Sequence, residues 1–168
     1  MNDPEIIELA ARLGAALQQR KLTLATAESC TGGLIAGAIT EIAGSSEWFE
    51  RGMVTYSNEA KMEMLGVPAD CMEQFGAVSE ETARAMAEGA LERSRAAVAV
   101  AVTGVAGPGG GSAAKPVGMV CFGWAFRGRP AETETEQFPG DRATVREMSV
   151  RHALLGIIKR LDSNPSGG

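Results

Sequence analysis

Ser29, Lys61 and Tyr56 are the side chains of this sequence whose types and settings could do chemistry together. Ser29 lies in Glu28-Ser29-Cys30-Thr31-Gly32-Gly33, after a short β-type run and before apolar residues at helical spacing. A serine in a strand-to-helix turn is held at a surface beside helix N-terminal amides, which can bind an oxyanion or a phosphate. Gly32 and Gly33 let a ligand approach the backbone closely. The competing reading is that Ser29 or Thr31 only caps the helix, the commoner use of these residue types. Cys30 is a rival nucleophile at the same helix start, where thiolates are stabilised. The plainer reading, a small buried packing residue, is preferred, because its side chain leaves the turn in another direction from Ser29.

A serine nucleophile needs a base. The chain has one histidine, His152, and one tyrosine, Tyr56. His152 shares a helical face with Val145, Met148 and Leu155, far from every glycine-rich turn, and reads as a packing residue. A Ser-His-Asp triad would depend wholly on it. Lys61 is the better candidate. With Asn58 as N-cap, Lys61 falls at the third helical position, where the positive helix end disfavours an ammonium and lowers its pKa. Against this stands a solvated surface lysine, the usual state of any one lysine. Tyr56, at a strand end, could relay a proton or orient substrate, or could be a half-buried aromatic with its hydroxyl in water.

Two more sequences carry polar or backbone groups. The loop Gly104 to Gly111 follows Thr103 and matches neither nucleotide fingerprint. It can present amides to an anion or simply connect two strands. Gly140-Asp141-Arg142 opens the last helix, with Asp141 as an ordinary N-cap. Arg142 runs against the helix dipole and could grip a phosphate or carboxylate as a fork. Arg146 and Arg151 read as surface residues.

These residues need elements to position them. Asp3-Pro4 starts a helix carrying Ile6, Leu9, Leu13 and Leu17. Leu22–Thr26, Phe49–Tyr56, Ala96–Thr103 and Val117–Phe126 read as strands. Leu34–Ile42, a short segment from Asn58 to about Leu65, a segment capped by Ser79, and Asp141–Leu161 read as helices. Pro68 starts a further turn. Residues 132–137 alternate with no apolar face and read as a charged edge strand, paired as a hairpin with 117–126. Helices alternating with buried strands predict α/β architecture, a three-layer α/β/α sandwich around a mixed, largely parallel sheet. Three polar sequences then follow strand carboxyl ends, where ligands of open α/β sheets bind: 28–33, 55–58 and 103–108.

Composition limits the alternatives. At 168 residues, 45% hydrophobic and 22% charged, the chain suits one globular domain over 1–162, with 163–168 as a frayed tail. The net charge of −5 without a basic tract disfavours nucleic acid. The longest apolar run, Ala96–Val102, is too short for a membrane span. Cys30, Cys71 and Cys121 form no Cys-x-x-Cys pair, and one histidine cannot build a two-histidine zinc site. No metal and no cofactor are expected. The acidic start lacks a signal-peptide pattern, and free thiols fit a reducing cytoplasm. Oligomeric state stays open: Met53, Met62, Met64 and Met72 could contribute to a homo-oligomer interface, although core filling is the preferred reading.

ATAESCTGG, TYSNEAK, AVTGVAGPGGG followed by KPVGMV, and FPGDRATVRE together resemble the CinA C-terminal domain family. The resemblance runs from about the first helix to about residue 160. Stand-alone members of that family are nicotinamide-nucleotide amidases, PncC-like enzymes. The resemblance implies a three-layer α/β/α fold and deamidation of nicotinamide mononucleotide to nicotinate mononucleotide, in pyridine nucleotide recycling. It implies Ser29 as nucleophile and Tyr56 and Lys61 as proton-handling partners. It further implies substrate contacts from Thr31, Gly32, Gly33, Thr103, Gly104, Gly107 and Arg142. The Gly107–Ser112 loop lacks the family's usual acidic residue and threonine, and Met119 stands where a threonine is common. Longer members carry an N-terminal domain whose pyrophosphatase activity is not expected here. Two other functions fit the same residues: a nucleotide-binding module without chemistry, and a serine amidase or esterase with another substrate.

Overall fold

The computed structural model describes residues 3–163. The elements run α1 (Pro4–Gln19), β1 (Leu24–Glu28), α2 (Leu34–Thr40), β2 (Phe49–Val54), α3 (Asn58–Leu65), α4 (Ala69–Phe75), α5 (Glu80–Glu92), β3 (Val98–Gly104), β4 (Met119–Phe126), β5 (Glu132–Gln137) and α6 (Arg142–Ser163). The sheet order is β2-β1-β3-β4-β5. β1 pairs in parallel with β2 and β3, while β4 pairs antiparallel with β3 and β5. The sheet is therefore mixed, and the 117–126/132–137 hairpin is present. The expected parallel pairing of buried strands holds for β1 and β3. β4 is the exception: helices cover it on both faces, so its apolar run carries no alternation to mark its direction.

The three layers follow from the alternation in β3. Val98, Val100 and Val102 face one side, against α1, α2 and α6 through Ile6, Leu13, Ile35, Ile39, Val150 and Leu154. Ala99 and Ala101 face the other, against α3, α4 and α5 through Leu65, Met72, Met86 and Ala90. The small alanine face lets α5 lie close to the sheet. Gly89 brings α5 against the end of α3, where a Cβ would land on the Leu65 carbonyl oxygen.

Helix starts follow the caps with one shift. Asp3 caps α1 and accepts from the Glu5 amide at 2.9 Å, with Pro4 at the first helical position. Asp141 accepts the Thr144 amide at 2.9 Å at the start of α6. In α3 the N-cap is Ser57, not the expected Asn58. The Ser57 backbone is extended, and its hydroxyl accepts the Ala60 amide at 3.0 Å. Pro68, read as opening a turn, is the N-cap of α4. Of the tail expected at 163–168, Ser163 ends α6 and 164–168 lie outside the described residues. No helix among the described residues is long and apolar enough to cross a membrane.

Candidate active site

Parallel pairing puts the carboxyl ends of β2, β1 and β3 side by side. Glu28-Ser29, Thr55-Tyr56 and Thr103-Gly104 therefore meet at one sheet edge, as the strand reading anticipates. Of these, Ser29, Tyr56, Thr103 and Gly104 line a cavity of about 290 Å³ together with Cys30, Asn58, Lys61, Gly107, Gly109, Gly110 and Arg142. The backbone of the edge is locked: the Ser29 amide donates to Val102 O at 2.9 Å and the Thr55 amide to Glu28 O at 2.8 Å.

Lys61 is the centre of the arrangement. Its ammonium nitrogen lies 2.9 Å from Ser29 Oγ, 2.8 Å from Thr55 O and 3.5 Å from Tyr56 O. Lys61 and Leu65 form the buried face of α3, one turn apart. Lys61 is only 1% exposed, and no carboxylate is among its hydrogen-bond partners. Burial pushes its amine below the usual lysine range of 10.5. A neutral amine has two N–H donors and one lone pair. Lys61 Nζ donates to Ser29 Oγ as placed; in the neutral form the two carbonyls would take both donors and leave the lone pair for the Ser29 hydroxyl proton.

The expected cause of Lys61's acidity is corrected. With Ser57 as N-cap, Lys61 is the fourth helical residue, and its own amide donates to Ser57 O at 3.2 Å. Desolvation, not a third-position clash with the helix dipole, lowers its proton affinity.

Cys30 is settled by the same physics with the opposite outcome. Burial drives its thiol up to about 12, so it stays protonated beside Ser29. Tyr56 is 64% exposed rather than half buried. Its hydroxyl meets Arg142 Nη2 at 3.2 Å, not the serine. Arg142 Nη1 also donates to Gly107 O at 2.8 Å, fixing the guanidinium at the cavity mouth. Thr103, 1% exposed, donates to Ala77 O at 2.8 Å, while Gly104 and Gly107 form wall. At Gly107 a Cβ would collide with Val117, and φ is +84°, so only glycine fits.

Thr31, Gly32 and Gly33 do not line the cavity. The Thr31 hydroxyl turns away and donates to Glu28 Oε1 at 2.6 Å. The Glu28 carboxylate, 1% exposed, also accepts the Ile35 amide at 2.9 Å and the Ala36 amide at 3.0 Å. The first turn of α2 thus already holds an anion, supplied by the chain itself. The bonds of the turn, Gly32 N to Ser29 O at 3.0 Å and Leu34 N to Thr31 O at 2.9 Å, use neither the Cys30 nor the Thr31 amide.

Sequence reasoning missed two charged residues here. Glu28 ends β1, so it reads as a loop residue until the strand is seen to extend to it. Arg146, read as a surface residue, donates from Nε to Cys30 O at 3.1 Å and from Nη2 to Thr31 O at 3.4 Å. Its signal was its position one helical turn after Arg142. His152 is outside the site as expected: it packs against Phe122, with ring centroids 4.5 Å apart, and its Nε2 lies 2.8 Å from Glu134 Oε1.

The cavity wall carries Lys61 and Arg142 and no acidic residue, which favours a ligand with an anionic group. A hydroxyl beside a buried amine of lowered proton affinity, with an unpartnered turn amide, can perform acyl transfer.

The model of the CinA C-terminal domain matches residues 6–161. A nicotinamide-nucleotide amidohydrolase PncC of Escherichia coli strain K12 is 52% identical over 154 residues, covering 92% of this chain and 93% of that protein. A CinA-like protein of Akkermansia muciniphila is 55% identical over 149 residues, 89% of this chain. This chain spans 36% of the length of that relative and 37% of a competence-damage inducible relative from Symbiobacterium thermophilum. Among solved structures, the competence/damage inducible protein CihA from Agrobacterium tumefaciens superposes with a TM-score of 0.92 at 51% identity, covering 95% of this chain and 97% of that one.

Proposed function

The chain belongs to the CinA C-terminal domain family, and from that premise we propose that it is a nicotinamide-nucleotide amidase. It hydrolyses nicotinamide mononucleotide to nicotinate mononucleotide and ammonia, in the cytoplasm, through a serine nucleophile. The observation that carries this reading is the 2.9 Å contact between buried Lys61 and Ser29.

Neutral Lys61 takes the Ser29 hydroxyl proton as Oγ attacks the carboxamide carbon. The oxyanion is held by the amide of Cys30, which lines the cavity and has no partner among the backbone bonds of the turn, whereas Glu28 occupies the amides of Ile35 and Ala36. Lys61 then protonates the departing nitrogen and ammonia leaves. Water attacks the acyl-enzyme ester as Lys61 accepts its proton; the bond from the acyl carbon to Ser29 Oγ then breaks, Lys61 returns that proton to Oγ, and the product leaves as the carboxylate, its acid proton going to solvent. Tyr56 acts through Arg142, orienting the guanidinium toward the anionic end of the substrate. Thr103, Gly104 and Gly107 shape the wall, while Thr31, Gly32 and Gly33 support the turn.

The test is ammonia release from nicotinamide mononucleotide, with product analysis, for wild type and Ser29→Ala. Turnover abolished in Ser29→Ala is expected, and full activity in that variant would remove the mechanism. Arg142→Ala should raise KM about ten-fold or more while changing kcat little, since a charge-assisted contact contributes roughly 1.5–3 kcal/mol. Binding of pyridine nucleotides without turnover by wild type would favour a binding module instead.

A further inference from the structure

We propose that Arg146 is a positioning residue for this reaction: from α6 it fixes the peptides of the Ser29 turn so that their amides stay aligned with the nucleophile. The inference rests on the serine-nucleophile reading above. Arg146 does not line the cavity, so it acts through the turn.

The geometry is a clasp on two consecutive peptides. Arg146 Nε donates to Cys30 O at 3.1 Å and Nη2 to Thr31 O at 3.4 Å. A planar guanidinium holding two carbonyls fixes their relative orientation, which a lysine ammonium cannot do. In a trans peptide the N–H points opposite to the C=O. Holding the Cys30 carbonyl therefore sets the direction of the Thr31 amide. The Ser29 carbonyl, held by Gly32 N at 3.0 Å, sets the direction of the Cys30 amide in the same way. Among the described residues the Cys30, Thr31 and Gly33 amides have no partner, and of these only Cys30 lines the cavity; Arg146 reaches the Cys30 amide through Thr31 O, because the same Thr31–Gly32 peptide gives the N–H that holds the Ser29 carbonyl. A cation on the carbonyl side also polarises the peptides and strengthens their N–H donors.

The opposite side of the turn is held by Glu28, through Thr31 Oγ1 and the Ile35 and Ala36 amides. An anion on the amide side of α2 and a cation on the carbonyl side together grip the segment that carries the nucleophile. Gly32, at φ +55°, lies under the guanidinium, where a Cβ would come 3.4 Å from Nη2. Arg146 is not needed to hold α6 in place, because Val145, Val150, Leu154 and Ile157 are fully buried against the core.

The experiment uses Arg146→Gln and Arg146→Lys, with Arg151→Gln as control. Arg151, also on α6, pairs with Asp3 at the cap of α1 and makes no hydrogen bond to the turn. Two readouts are taken, well below each variant's Tm. One is kcat and KM for ammonia release from nicotinamide mononucleotide. The other is the rate at which phenylmethanesulfonyl fluoride sulfonylates Ser29, followed by intact mass with Ser29→Ala as blank. In that step Oγ bonds to sulfur, fluoride leaves, and Lys61 takes the proton. Arg146→Gln is expected to lose about ten- to hundred-fold in kcat and in labelling rate, with KM within about three-fold of wild type. Arg146→Lys should recover only part of the loss, and Arg151→Gln should match wild type. Wild-type labelling by Arg146→Gln, a loss confined to KM, or an equal loss in Arg151→Gln would each overturn the proposal. Wild-type enzyme that is labelled but releases no ammonia ends the nucleotide-amidase reading and leaves the Arg146 comparison to be decided by labelling. Wild-type enzyme unlabelled at Ser29 overturns the proposal itself.

Discussion

Replacing Lys61 with methionine separates the chemical role of the buried amine from its structural one. Methionine fills a similar volume without a donor. The Thr55 carbonyl, 2.8 Å from the amine in the native enzyme, then loses its side-chain donor. An unsatisfied buried carbonyl costs about 1–3 kcal/mol, offset in part because no amine has to be desolvated. For a domain of this size, 1 kcal/mol moves Tm by roughly 2–4 °C, so the fall is at most about 12 °C. Catalysis should suffer far more, since removing a general base costs about 10²–10⁴ in rate. The assay is ammonia release at 25 °C beside a thermal melt. The pH dependence adds a sign. The base must be neutral, so the wild-type rate rises as pH climbs through the lowered amine pKa and is flat above it. Stability follows the same window. The folded pKa lies below the unfolded 10.5, so between the two the unfolded chain binds more protons and stability rises with pH. Below the folded pKa it is constant. Lys61→Met should abolish both rises. A variant keeping more than about a tenth of wild-type kcat would refute the reasoning. A wild-type rate that falls with pH through this range would do the same.

Three further outcomes follow from the packing and charges. Cys30→Ala should keep kcat within about three-fold of wild type, and iodoacetamide at pH 8 should leave Cys30 unmodified in the folded protein, because its thiol is pushed up to about 12. Loss of turnover in a folded Cys30→Ala enzyme would restore the rival nucleophile. Gly89→Ala should destabilise by about 1–3 kcal/mol and lower kcat as well, because the new methyl meets the Leu65 carbonyl and displaces the helix carrying Lys61; a melt and kinetics unchanged from wild type would contradict that close approach. Burial pushes Glu134 up, but Arg160 and His152 outweigh it and hold the carboxyl below 4.5. Its stabilising effect is present above pH 4.5 and lost as pH falls through the folded-state value. Glu134→Gln should lower Tm by a few degrees at most at pH 7, the pair being partly exposed, and flatten the fall of Tm below pH 4.5. An unaltered acid limb would show that the contact contributes nothing.

Legibility in the sequence tracked how local the determining physics was. The α1 cap, the Ser79 cap and the Asp141 cap depend on residues within one turn, and each was readable. The Val/Ala alternation of β3 marked a buried strand, and the convergence of 28–33, 55–58 and 103–108 followed from strand ends alone. The antiparallel direction of β4 was not readable, because a strand covered on both faces has no polar side to orient it. Thr31 shows the limit more sharply. A threonine between Ser29 and two glycines looked like a ligand contact. Its hydroxyl instead serves Glu28, whose carboxylate lies under the turn once β1 extends to residue 28. Arg146 depends on α6 crossing the Ser29 turn, a contact between residues 116 apart in sequence that no local pattern encodes.

Lys61, singled out from its place near a helix end, lies against Ser29 in the structure, but the physical reason for choosing it does not hold. The helix-end argument asked for an amine at the third position, where dipole and ammonium repel. The helix starts one residue earlier, and the side chain falls on the face of α3 that also buries Leu65. What lowers its proton affinity is removal from water with only carbonyls and a hydroxyl as partners. The distinction changes what should matter in related chains of this fold. Glu59, in the first turn of α3, is exposed and does not line the cavity. A desolvated base would be lost by any change that admits water or a carboxylate to the space between Thr55 and Ser29. If Lys61 is the base proposed above, the absence of a carboxylate between Thr55 and Ser29 matters to it as much as its own amine does.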